Sequence, residues 1–455
     1  MAGALLRAAL FPALRRLEHW RHFLRERLTP AGRFVLATGF AAAVFGIDTR
    51  LNQLYQLFTL ALILLLVSGL AALIGGWRLR SCLDASRALP STACVDIPLD
   101  YPVELRSRHR RTLEGLALTE QLPDPRPTRA QFRDPNQAAA AGDTWLDRRL
   151  GYPRWQRLLA RNRWAAQPAP KALEPISPRG RLRVGLRLIP KRRGYLRLRG
   201  FWLTRPDPLG LTRVRVPILQ EQSLLVLPKR YPAPMLSLPG HRRYQPGGWR
   251  LAATVGESQE FIGLREYRAG DSPRLIHWPS WARTDEPVVK EYQDEYFTRH
   301  ALVLDTFADT SSHDGFEAAV SIAASLCDRI GDGESLLDLL FVGPEPYCLT
   351  GGRGLAGTAQ FLEVLACAKP CETQPFERLQ QALLGRIGQL SALVCVLLDF
   401  DQPRRELAWT LGSLGVPTRL LVVSDQPMEV LLGGWTGAQV QRIRPARIAE
   451  DLARL

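Results

Sequence analysis

Apolar residues run from Leu54 to Trp77 with only Gln56, Thr59 and Ser68 breaking the series among the uncharged polar types. A bilayer core of about 30 Å needs ~20 such residues in a helix, so this stretch is predicted to span a membrane. A shorter apolar run, Phe34 to Ile47, is bounded by Arg33 and Asp48. It reaches across if the bilayer thins locally or Arg33 snorkels to the head groups. Upstream, Leu10, Leu14, Leu17, Leu24 and Leu28 recur at helical spacing, with arginines on the other faces. That pattern predicts an amphipathic helix on the inner leaflet; the alternative is a helix packed on the protein itself.

Beyond Arg80 the period changes to two. Leu182–Ile189, Tyr195–Leu198 and Leu224–Leu227 alternate apolar and polar side chains between Pro and Gly punctuation, the mark of half-buried strands. Residues 80–230 are therefore expected to form a β-sandwich. From residue 301 to 455 the strands become wholly apolar and alternate with helices. Ala301–Asp305, Leu336–Val342, Ala392–Asp399 and Thr418–Ser424 read as strands. Helices are expected over Phe316–Ile330, Ala356–Ala368, Phe376–Leu390 and Arg404–Leu414. This order predicts a doubly wound, mostly parallel sheet.

Charge then orients the chain. Of 60 basic and 44 acidic residues, 48 and 25 precede His300, leaving 12 and 19 for the rest. Such asymmetry fits a membrane surface or a nucleic acid. Arg15, Arg16, Arg21, Arg25, Arg27 and Arg33 precede the first apolar segment, and Arg78, Arg80 and Arg87 follow the second. The link Asp48–Gln53 holds one arginine, so both flanks are expected in the cytoplasm and the link outside. No small-residue cleavage site follows the first segment, so the hairpin at 34–77 reads as an anchor behind a basic segment at 1–33. The seven cysteines are scattered, several in apolar runs, as reduced buried thiols are. Between 137 and 175, Trp145, Trp155 and Trp164 are interleaved with Arg148, Arg149, Arg154, Arg157, Arg161 and Arg163. This insertion could stack on single-stranded nucleic acid, face lipid head groups, or pack on the sandwich.

The segment 245–300 is the densest in fixed-geometry residues. Gly256 to Trp278 contains Glu260-Phe-Ile-Gly-Leu-Arg-Glu-Tyr267 and Gly270-Asp-Ser-Pro-Arg-Leu-Ile-His-Trp278, and continues through Ala282-Arg283 to Lys290-Glu291. This run closely resembles the signature of the bacterial and archaeal domain of unknown function 58 family. Arg192-Arg-Gly-Tyr195 and Asp207-Pro-Leu-Gly-Leu211 resemble that family's strand and turn as well. The resemblance implies a membrane-anchored multidomain chain ending in a von Willebrand factor A-like domain. It also implies a non-catalytic adaptor or co-chaperone beside a MoxR-type AAA+ ATPase in a bacterial inner membrane. Within the signature, Arg265, Glu266, Asp271, Arg274 and Arg283 read as an interlocked charge network. Tyr267, Gly270, His277 and Trp278 complete the candidate partner surface, with His277 in a structural hydrogen-bonding role.

A-type domains often hold Mg²⁺ through Asp-x-Ser-x-Ser after the first strand, because a hard cation prefers oxygen ligands. Here Asp305 keeps the first position, but Phe307 and Asp309 replace the two serines; Asp399 follows a later strand. A degenerate site without a metal is expected. No Gly-x-x-x-x-Gly-Lys run occurs, so the chain is not a P-loop ATPase. Neither a nucleophile elbow nor paired histidines are present, and no cofactor is expected. The alternatives are a basic nucleic-acid-binding membrane protein and a metal-dependent hydrolase. Anionic lipids are the expected surface partner, and no specific nucleic acid is.

Overall fold

A computed structural model describes residues 2–45, 52–80, 82–133, 151–167, 169–236, 261–269, 271, 273–292, 299–308, 313–327, 329–330, 335–352, 357–371, 374–427 and 440–455. Gly270, Asp309, Trp145, Arg148, Arg149 and the link between the two apolar segments lie outside the described residues. The chain divides into two compact units. One is Met1–Lys229 with Asp309–His313 and Leu362–Ala368, and the other is Arg230–Ala308, Asp314–Phe361 and Lys369–Leu455.

The first unit opens with three helices, α1 (Ala2–Arg27), α2 (Pro30–Phe45) and α3 (Asn52–Leu79). Thr29-Pro30 separates α1 from α2: the Thr29 hydroxyl caps α2 by accepting Gly32 N–H at 3.1 Å, and Pro30 opens the helix with its fixed φ. Among the described residues Gln53–Leu79 is the one helix long and apolar enough to cross a membrane, and only 11% of its apolar window is buried. A helix so little covered is not the core helix of this unit. α2 is apolar but has 16 residues, a length of ~24 Å that falls short of a hydrocarbon core. It packs along α3, where Gly39 lets the backbone approach the Ala61 methyl group.

Nine strands follow: β1 (Leu83–Arg87), β2 (Thr92–Cys94), β3 (Leu99–Ser107), β4 (Ala117–Glu120), β5 (Ala165–Ala166), β6 (Lys171–Ala172), β7 (Arg181–Pro190), β8 (Gly194–Pro206) and β9 (Arg213–Leu227). They form one sheet in the order β1-β3-β7-β5 and another in the order β2-β9-β8-β4-β6. The inward residues Tyr101, Val103 and Leu105 of β3 and Val184, Leu186 and Leu188 of β7 share a core with Leu196, Phe201, Val216 and Leu224 of the other sheet. Arg183, Arg187, Arg197 and Arg199 take the alternate, outward positions.

A bulge in β8 changes the phase. Leu196 and Leu198 point inward before it, Phe201 and Leu203 after it, and the register with β9 shifts between Leu198 and Gly200. Gly200 sits at φ 151°, and a Cβ there would lie 2.0 Å from the Ile218 carbonyl oxygen. Arg87 completes the bulge by donating to the carbonyls of Leu198 and Gln220. Its guanidinium also pairs with Glu120, whose other oxygen accepts Tyr101 Oη–H at 2.6 Å. The core thus contains a buried ion pair in which both terminal nitrogens of Arg87 find acceptors, while Arg87 Nε has none among the described residues.

The second unit holds a hairpin, β10 (Phe261–Glu266) with β11 (Val288–Tyr292), and a six-stranded sheet. The sheet strands are β12 (Arg299–Leu304), β13 (Leu336–Val342), β14 (Pro346–Gly351), β15 (Ala392–Leu397), β16 (Thr418–Val423) and β17 (Val440–Ile443). Their order is β14-β13-β12-β15-β16-β17, parallel throughout except for β14. Val303, Leu393, Cys395, Leu420 and Val422 pack with Leu379, Leu383, Leu407 and Leu411 on one face. The alternate residues Leu302, Leu304, Val394, Val396 and Leu421 are buried as well. Burial on both faces is why these strands are uninterrupted apolar runs.

The expected helices appear as His313–Leu326, Thr358–Cys367, Glu377–Leu384 and Gln402–Ser413. The segment expected to be helical to Leu390 gives way to a 3₁₀ turn at Ile387–Gln389. Edge strands β14 and β17 were not foreseen.

Candidate functional site

Two places in the second unit concentrate the chemistry singled out in the sequence. The first is the signature. β10 and β11 pair antiparallel, Arg265 opposite Val289, and Ile276 and Tyr267 N–H add bonds to the same hairpin at Val289 and Pro287 O. Between the strands lie a 3₁₀ turn, Pro273–Leu275, and a seven-residue helix, Trp278–Thr284, begun by Pro279 and ended by Asp285 at φ 58°. His277 N–H donates to Val288 O at 2.8 Å, and its Nδ1 lies 2.7 Å from Ser280 Oγ. His277 is therefore a hydrogen-bonding corner of the hairpin.

The charge network differs from the expectation. Arg265 donates from both terminal nitrogens to the two Asp271 oxygens, at 2.7 and 2.8 Å. Arg268 N–H adds a third bond to Asp271 at 2.8 Å. These donors hold the Asp271 carboxyl down to about 2, the Arg265 bond being the largest cause. Glu266, Arg274 and Arg283 are exposed and make no ion pair among the described residues. Of the anticipated five members, the described residues show one bidentate pair, Arg265 with Asp271. Arg274 follows a proline on an outward turn, so Asp271 turns back to the strand instead.

Four apolar and aromatic side chains of the signature are exposed. Trp278 is 62% exposed and Leu264 is 42% exposed, with Tyr267 and Leu275 above a third. Trp278 stacks on Trp281 with ring centroids 5.2 Å apart and an interplanar angle of 22°. Sequence density is compatible with burial or with a partner-facing surface; these four side chains are exposed. Aromatic and leucine side chains held outward by a hydrogen-bonded frame can bury area against a partner with little loss of rotamer freedom.

The second place is the C-terminal end of the parallel strands, where Asp305 follows β12. Its side chain is fully buried and accepts Phe307 N–H at 2.9 Å, Leu398 N–H at 3.0 Å and Arg404 Nε at 2.6 Å. Arg404 also donates to Asp401 at 2.7 Å and to Phe307 O at 3.0 Å, and its guanidinium lies 5.0 Å from the Phe376 ring centroid. Asp401 caps the helix that carries Arg404. Burial pushes the Asp305 carboxyl up, and Arg404 with the two backbone donors pulls it back.

These residues do not fit a divalent ion. Both Asp305 oxygens are engaged by donors, one of them a fixed cation, and Phe307 offers no side-chain ligand. Asp399 is exposed and bonds its own neighbour, Phe400 N–H, at 2.7 Å. Among the described residues no group of three or more His, Cys, Asp or Glu side chains converges on one point. The sequence singled out Asp305 but missed Arg404, which lies 99 positions away and carries no local motif.

The Trp/Arg-rich insertion also has a definite place. Its described helix, Tyr152–Asn162, buries Trp155, Leu158 and Leu159. Trp155 meets Phe11 of α1 and Phe132, each pair of centroids 5.8 Å apart. Arg192 covers Trp164 at 4.9 Å. Stacking on a nucleic acid needs open rings, and Trp155 has none to offer.

Comparison with known proteins finds one family model that matches part of the chain. Residues 263–431 match the family model described as Protein of unknown function DUF58. The match begins in β10 and covers the signature from Gly263 onward and most of the α/β sheet. No curated protein matches the chain. Among solved structures, proximal thread matrix protein 1 from the mussel byssus is 8% identical with a TM-score of 0.27, over 34% of this chain and 44% of that one. Red sea bream transglutaminase is 14% identical with a TM-score of 0.18, over 32% and 15%. A PapD-like domain of human CEP192 is 12% identical with a TM-score of 0.18, over 32% and 86%. The chain thus spans less than half the length of the mussel protein.

Proposed function

We propose that the chain is a non-catalytic adaptor or co-chaperone of the bacterial inner membrane, docking a MoxR-type AAA+ ATPase and its clients through the signature surface. The observation that carries this reading is the outward aromatic face of Leu264, Tyr267, Leu275 and Trp278 on a frame fixed by Arg265 and Asp271. A tryptophan left 62% exposed contributes to binding when a partner covers it. The family match at 263–431 supports the choice of partner, because the ATPase association comes with that family.

The same reading has α2 and α3 as a hairpin anchor with both soluble units in the cytoplasm, and α1 on anionic lipid. The exposed apolar surface of α3 supports this, as do the flanking arginines. The sheet order with a single antiparallel edge supports a von Willebrand factor A-like domain. Its strand-end position is taken by Arg404 rather than an ion, which favours an adaptor over a metal-dependent hydrolase.

A photo-crosslinking residue placed at Trp278 or Leu275 in the full chain, in native membranes, tests the proposal. An AAA+ ATPase among the crosslinked proteins supports it. Crosslinks to lipid alone, or none from either position while the protein is folded and abundant, count against it.

A further inference from the structure

An open cavity of about 710 Å³ lies in the first unit between α1 and the segment leading into the helix Arg129–Arg133. Phe11, Pro12, Arg15, Arg16, His19, Trp20, Arg126 and Arg129 line it. The lining is therefore four arginines and a histidine around aromatic and aliphatic surface. Carboxylates neutralise little of this charge. Asp124 holds Arg126 at 2.8 Å, and Glu18 lies 3.6 Å from Arg21, which is outside the cavity. Arg15, Arg16 and Arg129 are exposed and make no ion pair among the described residues.

The cavity's walls are fixed. Phe11 is locked among Phe132 and Trp155, and Arg21 donates to Tyr152 Oη at 3.1 Å. Arg126 Nη1 lies 3.2 Å from His19 Nδ1, joining the two walls. At its far end α1 pairs with the sandwich through Glu26 and Arg215 and through the Leu28–Thr212 bridge. Its exposed apolar residues Leu17, Trp20 and Phe23 form a strip beside the cavity, with Trp20 and Phe23 in edge contact at 6.0 Å. Tryptophan and phenylalanine beside arginine are the residues that settle at the head-group level of a bilayer.

We infer that this cavity binds the phosphodiester head group of an anionic phospholipid, with Arg15, Arg16 and Arg129 as its ligands and Trp20 against the glycerol and upper acyl region. Arginine suits the task because its planar fork donates two parallel bonds to a phosphate's free oxygens. His19 and Arg126 add donors from opposite walls. The lipid is preferred over a free anion because the cavity opens beside an apolar strip and on the unit that carries α3. The inference rests on the membrane reading above and names the site through which α1 engages the inner leaflet.

The test uses the full chain in nanodiscs of phosphatidylcholine mixed with phosphatidylglycerol, followed by extraction into detergent and mass spectrometry of the lipid retained. The wild type is expected to keep phosphatidylglycerol in preference to phosphatidylcholine. R15Q/R16Q/R129Q is expected to lose that preference by on the order of tenfold. R183Q/R197Q/R199Q, which removes equal charge from exposed strand positions, is expected to retain it. An unselective wild type, an unchanged triple variant or an equal loss in the control overturns the inference. So does displacement of the lipid by inorganic phosphate at concentrations that leave phosphatidylcholine bound, which marks a free-anion site. Unchanged unfolding midpoints confirm that the variants are folded; if R15Q/R16Q/R129Q is not, R16Q/R129Q is scored the same way. Alkaline carbonate extraction separates this from anchoring: release of the chain from membranes refutes the spanning helix, while lipid selectivity in detergent is scored on its own.

Discussion

Arg404 donates Nε–H to the Asp305 carboxylate at 2.6 Å, at the C-terminal ends of the parallel strands. The pair is buried, with side-chain exposures of 7% and 0%. Removing one partner leaves the other charged and unsolvated, at a cost of about 3–5 kcal/mol. Arg404→Met is expected to destabilise the full chain in detergent by that amount, read as a shift in the denaturation midpoint. The double variant D305N/R404M is expected to lose less than the sum of its single changes, because neither charge remains. Strict additivity would mean that the two groups do not interact.

The same geometry predicts indifference to metal. A ligand that binds only the folded state must raise the melting temperature. The protein is expected to melt at one temperature in millimolar Mg²⁺ and in EDTA, since Asp305 has no free oxygen to offer. A rise of several degrees that Asp305→Ala abolishes would reopen the hydrolase reading.

Asp271 gives the signature an acid limit. Its carboxyl is depressed from 3.8 to about 2 by Arg265 and the Arg268 N–H. A depressed acid stabilises the fold above its unfolded value and stops doing so as pH falls through the folded one. Protection of the Tyr267 and His277 amides against hydrogen exchange, taken relative to the intrinsic rate at each pH, is expected to hold above about pH 4 and to fall between there and about pH 2. Asp271→Asn is expected to remove this acid transition and to weaken partner binding. Arg265→Lys, which keeps the charge but not the fork, is expected to weaken binding in part. Acid-insensitive protection in the wild type would show that the pair does not hold the hairpin.

Most of the α/β sheet was legible because its strands are buried on both faces: Ala392–Leu397 and Thr418–Val423 admit only one reading. β14 was not, since Pro346, Tyr347 and the residues after them at a half-covered edge mix polar and apolar types without a period. The bulge in β8 was equally silent; Gly200 looks like any strand glycine until the shift from Leu198 to Phe201 is seen. The sequence joins Arg265, Glu266, Asp271, Arg274 and Arg283 in one network without ranking the pairs, whereas the hairpin makes Arg265 the neighbour of Asp271 in space. Arg404 lay beyond reach for the same reason: residue type and spacing indicate that Asp305 matters, but not which cation finds it.

The arginines around α2 and α3 predict orientation. Arg15 to Arg33 and Arg78 to Arg87 outnumber the single Arg50 of the link, so both ends are expected on the cytoplasmic side. A reporter fused after Leu455 is expected to be active only in its cytoplasmic form. Periplasmic activity would mean that α2 does not cross and that the chain passes through the bilayer once.

The junction of α1 and α2 predicts a sharp difference between two glycines. Thr29 N–H donates to Leu211 O at 3.0 Å, and its hydroxyl donates to Gly210 O at 2.6 Å. Asp207 shapes the receiving turn by accepting Leu209 N–H and Thr212 N–H at 3.0 and 2.8 Å. Gly32 lies against this turn so closely that a Cβ would stand 1.9 Å from Leu211 O, a backbone atom that cannot swing aside. Thr212 also meets Ser68 of α3 at 2.9 Å, so the turn ties the sandwich to both apolar helices. Gly32→Ala is expected to displace α2 from the turn and to cost about 1–3 kcal/mol. Gly69→Ala, with nothing within 4 Å of its added carbon, is expected to be neutral or slightly stabilising, because alanine loses less backbone freedom in a helix. Thermal unfolding in detergent, together with protease sensitivity near Thr29, reads both effects. Equal behaviour of the two variants would show that the turn does not bear on the helices.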